Sequence, residues 1–360
     1  MREPNLKSCA LLTRWLALPV VLAAVACSGN NSESQVGESG VTTTPGAGGG
    51  PTLNLPPTGS DAGTGTGTGT GGGSTSDPNA PYMLPADYTK ATLGGWKLGA
   101  PIDPNATGSA GSGSGGAASG CGTSILGVVR DFKGKNEPDG HPDFEAFSGS
   151  GASKGIVATA LGTDQKPVYT AMGAFIDPKN GQQTTTKANF DQWYRATADV
   201  NKPYLIYFYF QPNNGVLTFQ SNAFFPLDGQ GWGNSCTEAD AANTGKNPAC
   251  PKQAHNFGFT TEVHTQFAYK GGETFSFTGD DDLWVFINHT LAIDLGGLHP
   301  QASDTLSLDK AAKTLGISVG GTYDLDLFHA ERHTDQSNFR VDTNLAFTNC
   351  GTVVEEPPVK

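Results

Sequence analysis

Gly279-Asp280-Asp281-Asp282-Leu283-Trp284-Val285-Phe286-Ile287-Asn288-His289-Thr290-Leu291-Ala292-Ile293 carries the clearest local pattern in the chain. Leu283 to Ile287 is apolar at every position, with an acidic cluster before it and Asn288-His289 after it. A short apolar run between turn signals reads as a strand buried on both faces. A second apolar run follows after only two residues, so the pattern predicts a hairpin with a two-residue loop. A type I′ turn needs positive φ at both loop positions, which Asn tolerates well and His less well.

Outward from this hairpin, period-two alternation recurs. Tyr323, Leu325 and Leu327 share one face, with Asp324 and Asp326 on the other. Phe275 and Phe277 pair in the same way, and Phe257, Phe259, Thr261 and Val263 face one way along a further strand. Tyr204 to Phe210 is strongly aromatic and reads as a second central strand. Only Thr186 to Ala196 has a helical pattern, with Phe190, Trp193 and Tyr194 on roughly one side. The expected class is therefore all-β: an antiparallel β-barrel or β-sandwich with short helices and long loops.

Composition sets the boundaries of that domain. Residues 28–120 are dominated by Gly, Ser, Thr, Pro and Asn, and Thr64 to Thr70 alternates strictly with Gly. Such a stretch cannot bury enough apolar surface to offset its ordering entropy and reads as a disordered tether. As a Gly/Ser coil it would span about 50 Å. Tyr82 to Leu98 is a less polar island, read either as a docking segment that folds back on the domain or, by preference, as a less polar stretch of the tether. Residues 121–350 then form the β-domain and 351–360 a C-terminal tail.

The first residues read as an address. Arg2, Lys7 and Arg14 precede an apolar run from Trp15 to Ala26 that is too short to span a bilayer but suits a signal-peptide core. The run ends Ala24-Val25-Ala26-Cys27, which resembles a bacterial lipobox with Ala24 where leucine is usual. This implies cleavage after Ala26 and lipidation of Cys27. The same small residues also satisfy ordinary signal-peptide cleavage. Ser28 after the cysteine implies, as in enteric bacteria, sorting to the outer membrane, with the domain at the cell surface.

The cysteines and the charge agree with an exported protein. Of six cysteines, Cys9 leaves with the signal peptide and Cys27 takes the lipid. Cys121, Cys236, Cys250 and Cys350 remain, an even set for an oxidising compartment that admits three connectivities. Cys236–Cys250, closing a polar loop, and Cys121–Cys350, tying the domain ends, are the favoured pairs, contributing about 3 and about 5 kcal/mol by chain entropy. Their spacing does not suit CxxC zinc pairs. The formal net charge of −12 argues against nucleic acid as a partner.

Nine strings recur in a telling order. They are Val129-Arg130-Asp131-Phe132, His141-Pro142-Asp143-Phe144-Glu145, Lys166-Pro167-Val168-Tyr169, Phe190-Asp191-Gln192-Trp193-Tyr194, Phe224-Phe225-Pro226-Leu227-Asp228, His255-Asn256-Phe257, the Gly279–Asn288 stretch, Asp294-Leu295-Gly296-Gly297-Leu298-His299, and Phe328-His329-Ala330-Glu331-Arg332-His333. In this order they resemble the fibro-slime domain family, related to the carbohydrate-binding β-barrel of protective antigen and the flocculins. The resemblance covers nearly all of residues 121–350. It implies a protective-antigen-like barrel or sandwich and a role in surface adhesion and slime. The family usually has Gly where His289 stands, so the hairpin is expected to carry slight strain.

The acidic cluster is the leading candidate site. Adjacent carboxylates repel one another unless a cation or a positive side chain neutralises them, and calcium prefers oxygen ligands of this kind. In the flocculin branch two adjacent aspartates hold calcium, which holds sugar hydroxyls. The resemblance puts that pair on Asp280 and Asp281. The competing reading makes Asp280 a turn cap and Asp282 an acceptor for backbone N–H groups. Trp232 and Asn234, in a Gly-rich loop, offer an aromatic platform and an amide of the kind sugars stack on; otherwise Trp232 covers the core. His299 either points into the site or bonds a loop carbonyl. His329, Glu331 and His333 would share a strand face, a weak hint of zinc, against a Glu331–Arg332 ion pair fixing the barrel rim.

Three function classes follow: a surface-anchored adhesion module binding a polysaccharide or glycan, a protein–protein scaffold of an extracellular matrix, and a glycoside-active enzyme. The enzyme ranks last. Glycosidases place two carboxyls across a cleft, whereas Asp280 and Asp281 are chain neighbours, and no nucleophile or nucleotide motif is present. Calcium is the one cofactor expected. The membrane is a partner only through the lipid.

Overall fold

The structure, a computed structural model, describes residues 94–103, 123–236, 252–334 and 336–354. These all fall within the compact unit Gly72–Lys360. The signal peptide, Cys27, Cys121, Cys250 and most of the tether lie outside the described residues.

The strands in chain order are β1 (Gly95–Pro101), β2 (Ser124–Phe132), β3 (Ile176–Asp177), β4 (Gly181–Gln182), β5 (Asn201–Tyr209), β6 (Gln211–Asn213), β7 (Val216–Ser221) and β8 (Phe259–Ala268). They continue as β9 (Thr274–Gly279), β10 (Asp282–Ile287), β11 (Thr290–Leu295), β12 (Ala302–Ser307), β13 (Thr322–Glu331), β14 (Phe339–Thr343) and β15 (Ala346–Thr352). Two short helices, α1 (Lys187–Phe190) and α2 (Leu308–Leu315), complete the set. The larger sheet runs β1-β5-β2-β8-β13-β10-β11, with β15 also on β8, and the smaller runs β12-β9-β14-β7-β6. The strand pairings are antiparallel. β8 takes β2 along Phe259–Glu262 and β15 along His264–Ala268, so one edge of a long strand serves two neighbours.

The two sheets pack as a sandwich, in accord with the expected all-β class. Its core takes the inward residues of both, including Val129, Ile206, Phe208, Phe219, Phe277, Leu283, Val285, Ile287, Leu327 and Phe339. A second core covers the other face of the larger sheet. There Trp284, Phe286 and Phe328 meet Phe144, Ile156, Phe190, Trp193 and Tyr194. This explains β10. Its odd-numbered residues enter the sandwich and its even-numbered ones enter the outer core, so all six are buried. Asn288 and His289 carry φ of 50° and 61°, as the expected I′ turn requires.

Several expectations need correction. Gly95–Pro101, assigned to the tether by composition, is strand β1 on the edge of β5. Trp96 sets its ring edge-on to Phe224, centroids 5.4 Å apart, which recruits it into the core. The C-terminal tail is likewise partly structural: β15 runs to Thr352, and the Val354 carbonyl accepts from Lys166 Nζ at 2.6 Å. β5 is not buried on both faces but alternates, because it lies between edge strand β1 and β2.

The expected helix of Thr186–Ala196 shortens to α1. Thr186 caps it, accepting the Asn189 N–H. Beyond Phe190, side chains capture the carbonyls that a longer helix needs. Thr260 donates to Trp193 O at 2.7 Å, and Asn201 Nδ2 donates to Gln192 O and Arg195 O, both at 2.9 Å. Phe190, Trp193 and Tyr194 still share the buried side.

A buried charge network ties the outer layer to the sheet. Glu262 on β8 accepts from Arg130 Nη1 at 2.6 Å and from Lys166 Nζ. His264 Nε2 lies 2.5 Å from Glu262, and its Nδ1 lies 2.6 Å from Asp326. Burial alone would raise the Glu262 pKa; Lys166, Arg130 and His264 override it and hold the carboxyl far below the usual range.

Candidate functional site

At one end of the sandwich the chain crosses repeatedly between sheets. Asp280 and Asp281 carry it from β9 to β10, residues 296–301 from β11 to β12, and residues 332–338 from β13 to β14. Register brings these crossings together, because Gly279 pairs with both Phe339 and Ala302, and Asp282 pairs with Ala330. Between them opens a cavity of about 260 Å³ lined by Asp280, Asp281, His299, His333, Thr334 and Gln336 among others.

The three aspartates do different work. Asp282 is structural: Oδ2 accepts from Arg332 Nε at 2.6 Å and Oδ1 from the Gly297 N–H at 2.6 Å. Asp281 sits at φ 53°, and its Oδ2 accepts the Arg332 N–H at 2.8 Å. Asp280 Oδ2 accepts both the backbone N–H and Nδ2 of Asn338, at 2.8 and 2.7 Å. Among the described residues, none gives Asp280 Oδ1, itself buried, a hydrogen bond. Burial pushes Asp281 up to about 6 against the pull of Arg332. It raises Asp280 too, against the hydrogen bonds from Asn338. Two carboxylates are thus held in a desolvated rim that favours their neutral forms unless positive charge arrives.

The expected Glu331–Arg332 pair does not form, because adjacent residues at the end of a strand point to opposite faces. Arg332 turns outward to Asp282 and lies 4.5 Å over the Trp193 ring. Glu331 turns between the sheets with His329. Among the described residues, neither Glu331 oxygen and neither His329 nitrogen makes a hydrogen bond of good geometry, although Ser337 and Asp281 approach Glu331 and the Asp280 backbone approaches His329. Burial, with the charge of Asp281 next, holds the Glu331 carboxyl well above its usual range, and burial lowers His329 to about 3. Burial thus favours the neutral form of each, the form that an apolar interior tolerates. His333 lies past the strand and lines the cavity instead. Among the described residues, no group of three or more His, Cys, Asp or Glu is placed to hold a metal by itself.

The remaining expected residues divide by place. His299 lines the same cavity, with Nδ1 2.9 Å from Pro300 O and Nε2 3.1 Å from Leu295 O, so both nitrogens face loop carbonyls. Trp232 and Asn234 do not line it. The Trp232 ring has Lys202 and Lys133 ammonium groups 3.7 and 4.2 Å from its centroid, and the residue's backbone N–H donates to Asp131. Asn234 spends its amide on its own loop, accepting from Gly229 N and donating to Ala254 O, both at 2.8 Å. Cys236 is buried, and Cys350 lies on β15. Asn338 and Gln336 are site residues that sequence reading missed. Only the register of β14 against β9 brings them to Asp280.

Residues 212–358 match the PA14 domain. That span runs from β6 through β15 and contains Asp280, Asp281, His299 and Asn338. Protein psiR of Dictyostelium discoideum is 38% identical over 218 residues, 59% of this chain and 20% of that protein. Protein psiC of the same organism is 36% identical over 218 residues, 59% of this chain and 39% of that protein. The chain thus spans well under half the length of these relatives. Among solved structures, a PA14 sugar-binding domain from an RTX adhesin aligns with 63% of this chain and 96% of its own, at 8% identity and a TM-score of 0.23. The PA14 domain of the MpAFP antifreeze protein aligns with 65% and 95%, at 11% identity and a TM-score of 0.21. Among the described residues no helix is long and apolar enough to cross a membrane.

Proposed function

We propose that this chain is a surface adhesion module that binds a polysaccharide or glycan at the Asp280–Asp281 rim with the help of calcium. The observation that carries the reading is the buried Oδ1 of Asp280, to which no described residue gives a hydrogen bond, beside the raised carboxyl of Asp281 in an open cavity. PA14 is a carbohydrate-binding domain family, and the matched span contains this rim.

The residues present fit a calcium ion in which Asp280 and Asp281 supply the charged oxygens and water or sugar hydroxyls supply the rest. A hard cation takes several oxygens and tolerates irregular geometry. Calcium, when bound, supplies positive charge to which vicinal sugar hydroxyls coordinate. Asn338 and the Arg332 N–H hold one oxygen of each aspartate, fixing both carboxylates in place. The backbone at φ 53° turns Asp281 toward the rim.

Outside the described residues, the reading keeps the lipid on Cys27, the tether between membrane and domain, and an outer-membrane or cell-surface location. It also keeps the disulfides Cys121–Cys350 and Cys236–Cys250; the bridge between Cys236 and Lys252 brings that end of the polar loop together. The fibro-slime resemblance adds attachment to slime or matrix as the setting. The test is retention of the full chain on immobilised polysaccharides, including slime of the producing cell, with calcium and with EDTA. Calcium-dependent retention that Asp281→Asn loses is expected. Retention by none, or retention indifferent to both chelator and substitution, would overturn the reading.

A further inference from the structure

A second depression adjoins the Asp280–Asp281 cavity, and the proposed function leaves it unused. It is open, about 490 Å³, and lined by Asn222, Phe225, His255, Gln301, Gln336 and Asn338 among others. One wall comes from the β7–β8 connection and the other from the β11–β12 and β13–β14 crossings. Gln336 lines both cavities, and Asn338 lines the second while donating to Asp280 of the first. The two are therefore neighbours along one groove.

The second depression has a built platform. Phe225 and His255 stack with centroids 4.0 Å and planes 3° apart. Phe257, itself buried, packs edge-on to Phe225 at 5.0 Å and supports the stack. Asp228 fixes the imidazole through Nδ1 at 2.6 Å, while 43% of the His255 side chain stays exposed. Around it, Asn222 and Gln301 are exposed and hydrogen-bond to no other described residue. A free primary amide offers a donor and an acceptor from one planar group, the complement of vicinal hydroxyls. A ring held by its neighbours offers an apolar face to the C–H side of a pyranose at little entropic cost. Few polar groups around an aromatic surface is the usual composition of a small-ligand site.

We infer that this groove is a second saccharide subsite: the ligand is an oligosaccharide chain with one unit at Asp280–Asp281 and the next between His255 and the amides of Asn222 and Gln301. The inference rests on the glycan reading of the first cavity. The probes are ladders of glucose, mannose, galactose and N-acetylglucosamine oligomers, one to four units long. They are titrated calorimetrically into the full chain with calcium. Wild type is compared with Asp281→Asn, His255→Ala and the double variant Asn222→Ala/Gln301→Ala, whose native side chains hydrogen-bond to no other described residue. Wild type is expected to bind at least one monosaccharide and to gain about tenfold or more from the second unit. Asp281→Asn loses all binding. His255→Ala and the double variant keep the monosaccharide affinity and lose the gain. A gain that both retain, or no gain in wild type, overturns the second subsite and leaves the first standing. Failure of wild type to bind any oligomer overturns the glycan reading and the subsite together.

Discussion

Glu262→Gln tests whether the buried charge network holds the outer layer to the sheet. Glu262 is the shared anion of three cationic groups: Arg130 at 2.6 Å, Lys166, and His264 at 2.5 Å. All are buried. Glutamine keeps the shape and removes the charge, leaving Arg130 and Lys166 facing a neutral amide. Removing one partner of a buried pair costs about 3–5 kcal/mol, and Arg130 and Lys166 each lose an anionic contact here, so a loss in that range is expected. For a domain of this size that is a fall in midpoint of roughly 10–20 °C. Lys166→Met should cost less, since Glu262 keeps Arg130, and Glu262→Gln/Lys166→Met should recover part of the single-variant loss. The pH response has a definite sign. Glu262 and Asp326 raise His264 above its ordinary value against burial, so its contribution is full below about 6.5 and fades as pH rises through the folded value. Urea and thermal unfolding of the four proteins at pH 6 and pH 8 provide the assay. A Glu262→Gln variant within about 1 kcal/mol of wild type would refute the reasoning, since the network would then contribute nothing net.

Other consequences are as direct. Burial pushes Asp131 up to about 7 against hydrogen bonds from the Trp232 N–H and Asn256. Its folded pKa exceeds the unfolded one, so stability falls by about 2 kcal/mol between pH 5.5 and 8; Asp131→Asn should flatten that slope in denaturant titrations. Gly297 sits at φ 86°, where a Cβ would come 2.7 Å from Ser153 Cβ. Gly297→Ala should cost about 1–3 kcal/mol in unfolding and weaken calcium binding, because it displaces the loop that carries His299. Non-reducing peptide mapping of the exported chain should recover Cys121–Cys350 and Cys236–Cys250, with no free thiol among the four.

How much of this was legible depended on range. The β10–β11 hairpin was readable because its information is local: five apolar residues, a two-residue turn and an acidic start. Even so, its burial on both faces needed the outer core of Phe144, Trp193 and Tyr194, which comes from residues far away in sequence. β1 showed only as a less polar island that could dock on the domain, because seven residues inside a Gly/Ser/Thr-rich stretch carry little pattern of their own; the edge of β5 and the Trp96 contact with Phe224 define it. α2 was missed although Ser307 stands at its N-cap and Gly316 ends it at φ 66°, because the surrounding residues read as strand. In α1 the reverse happened, and tertiary hydrogen bonds to Trp193 O and Gln192 O cut short a helix that the local pattern favoured. At the site, Asp280, Asp281 and His299 were readable as motif residues. Asn338, Gln336 and the Phe225–His255 stack were not, since crossings between sheets bring them there. The division of labour among Asp280, Asp281 and Asp282 also required the structure, because three identical neighbours differ only in what each one faces.

If Asp280 and Asp281 form a cation-dependent rim, thermal unfolding of the full chain will differ between calcium and EDTA. Wild type and Asp281→Asn are compared at pH 7.5. Calcium at 100 times its dissociation constant should add about 2.7 kcal/mol, a rise of roughly 5–10 °C, and the variant should lose that rise. In EDTA the variant should melt at or above the wild type, because the substitution removes a buried charge whose pKa stands at about 6. Equal wild-type midpoints in calcium and EDTA, or a calcium-dependent rise that Asp281→Asn keeps in full, would contradict the account.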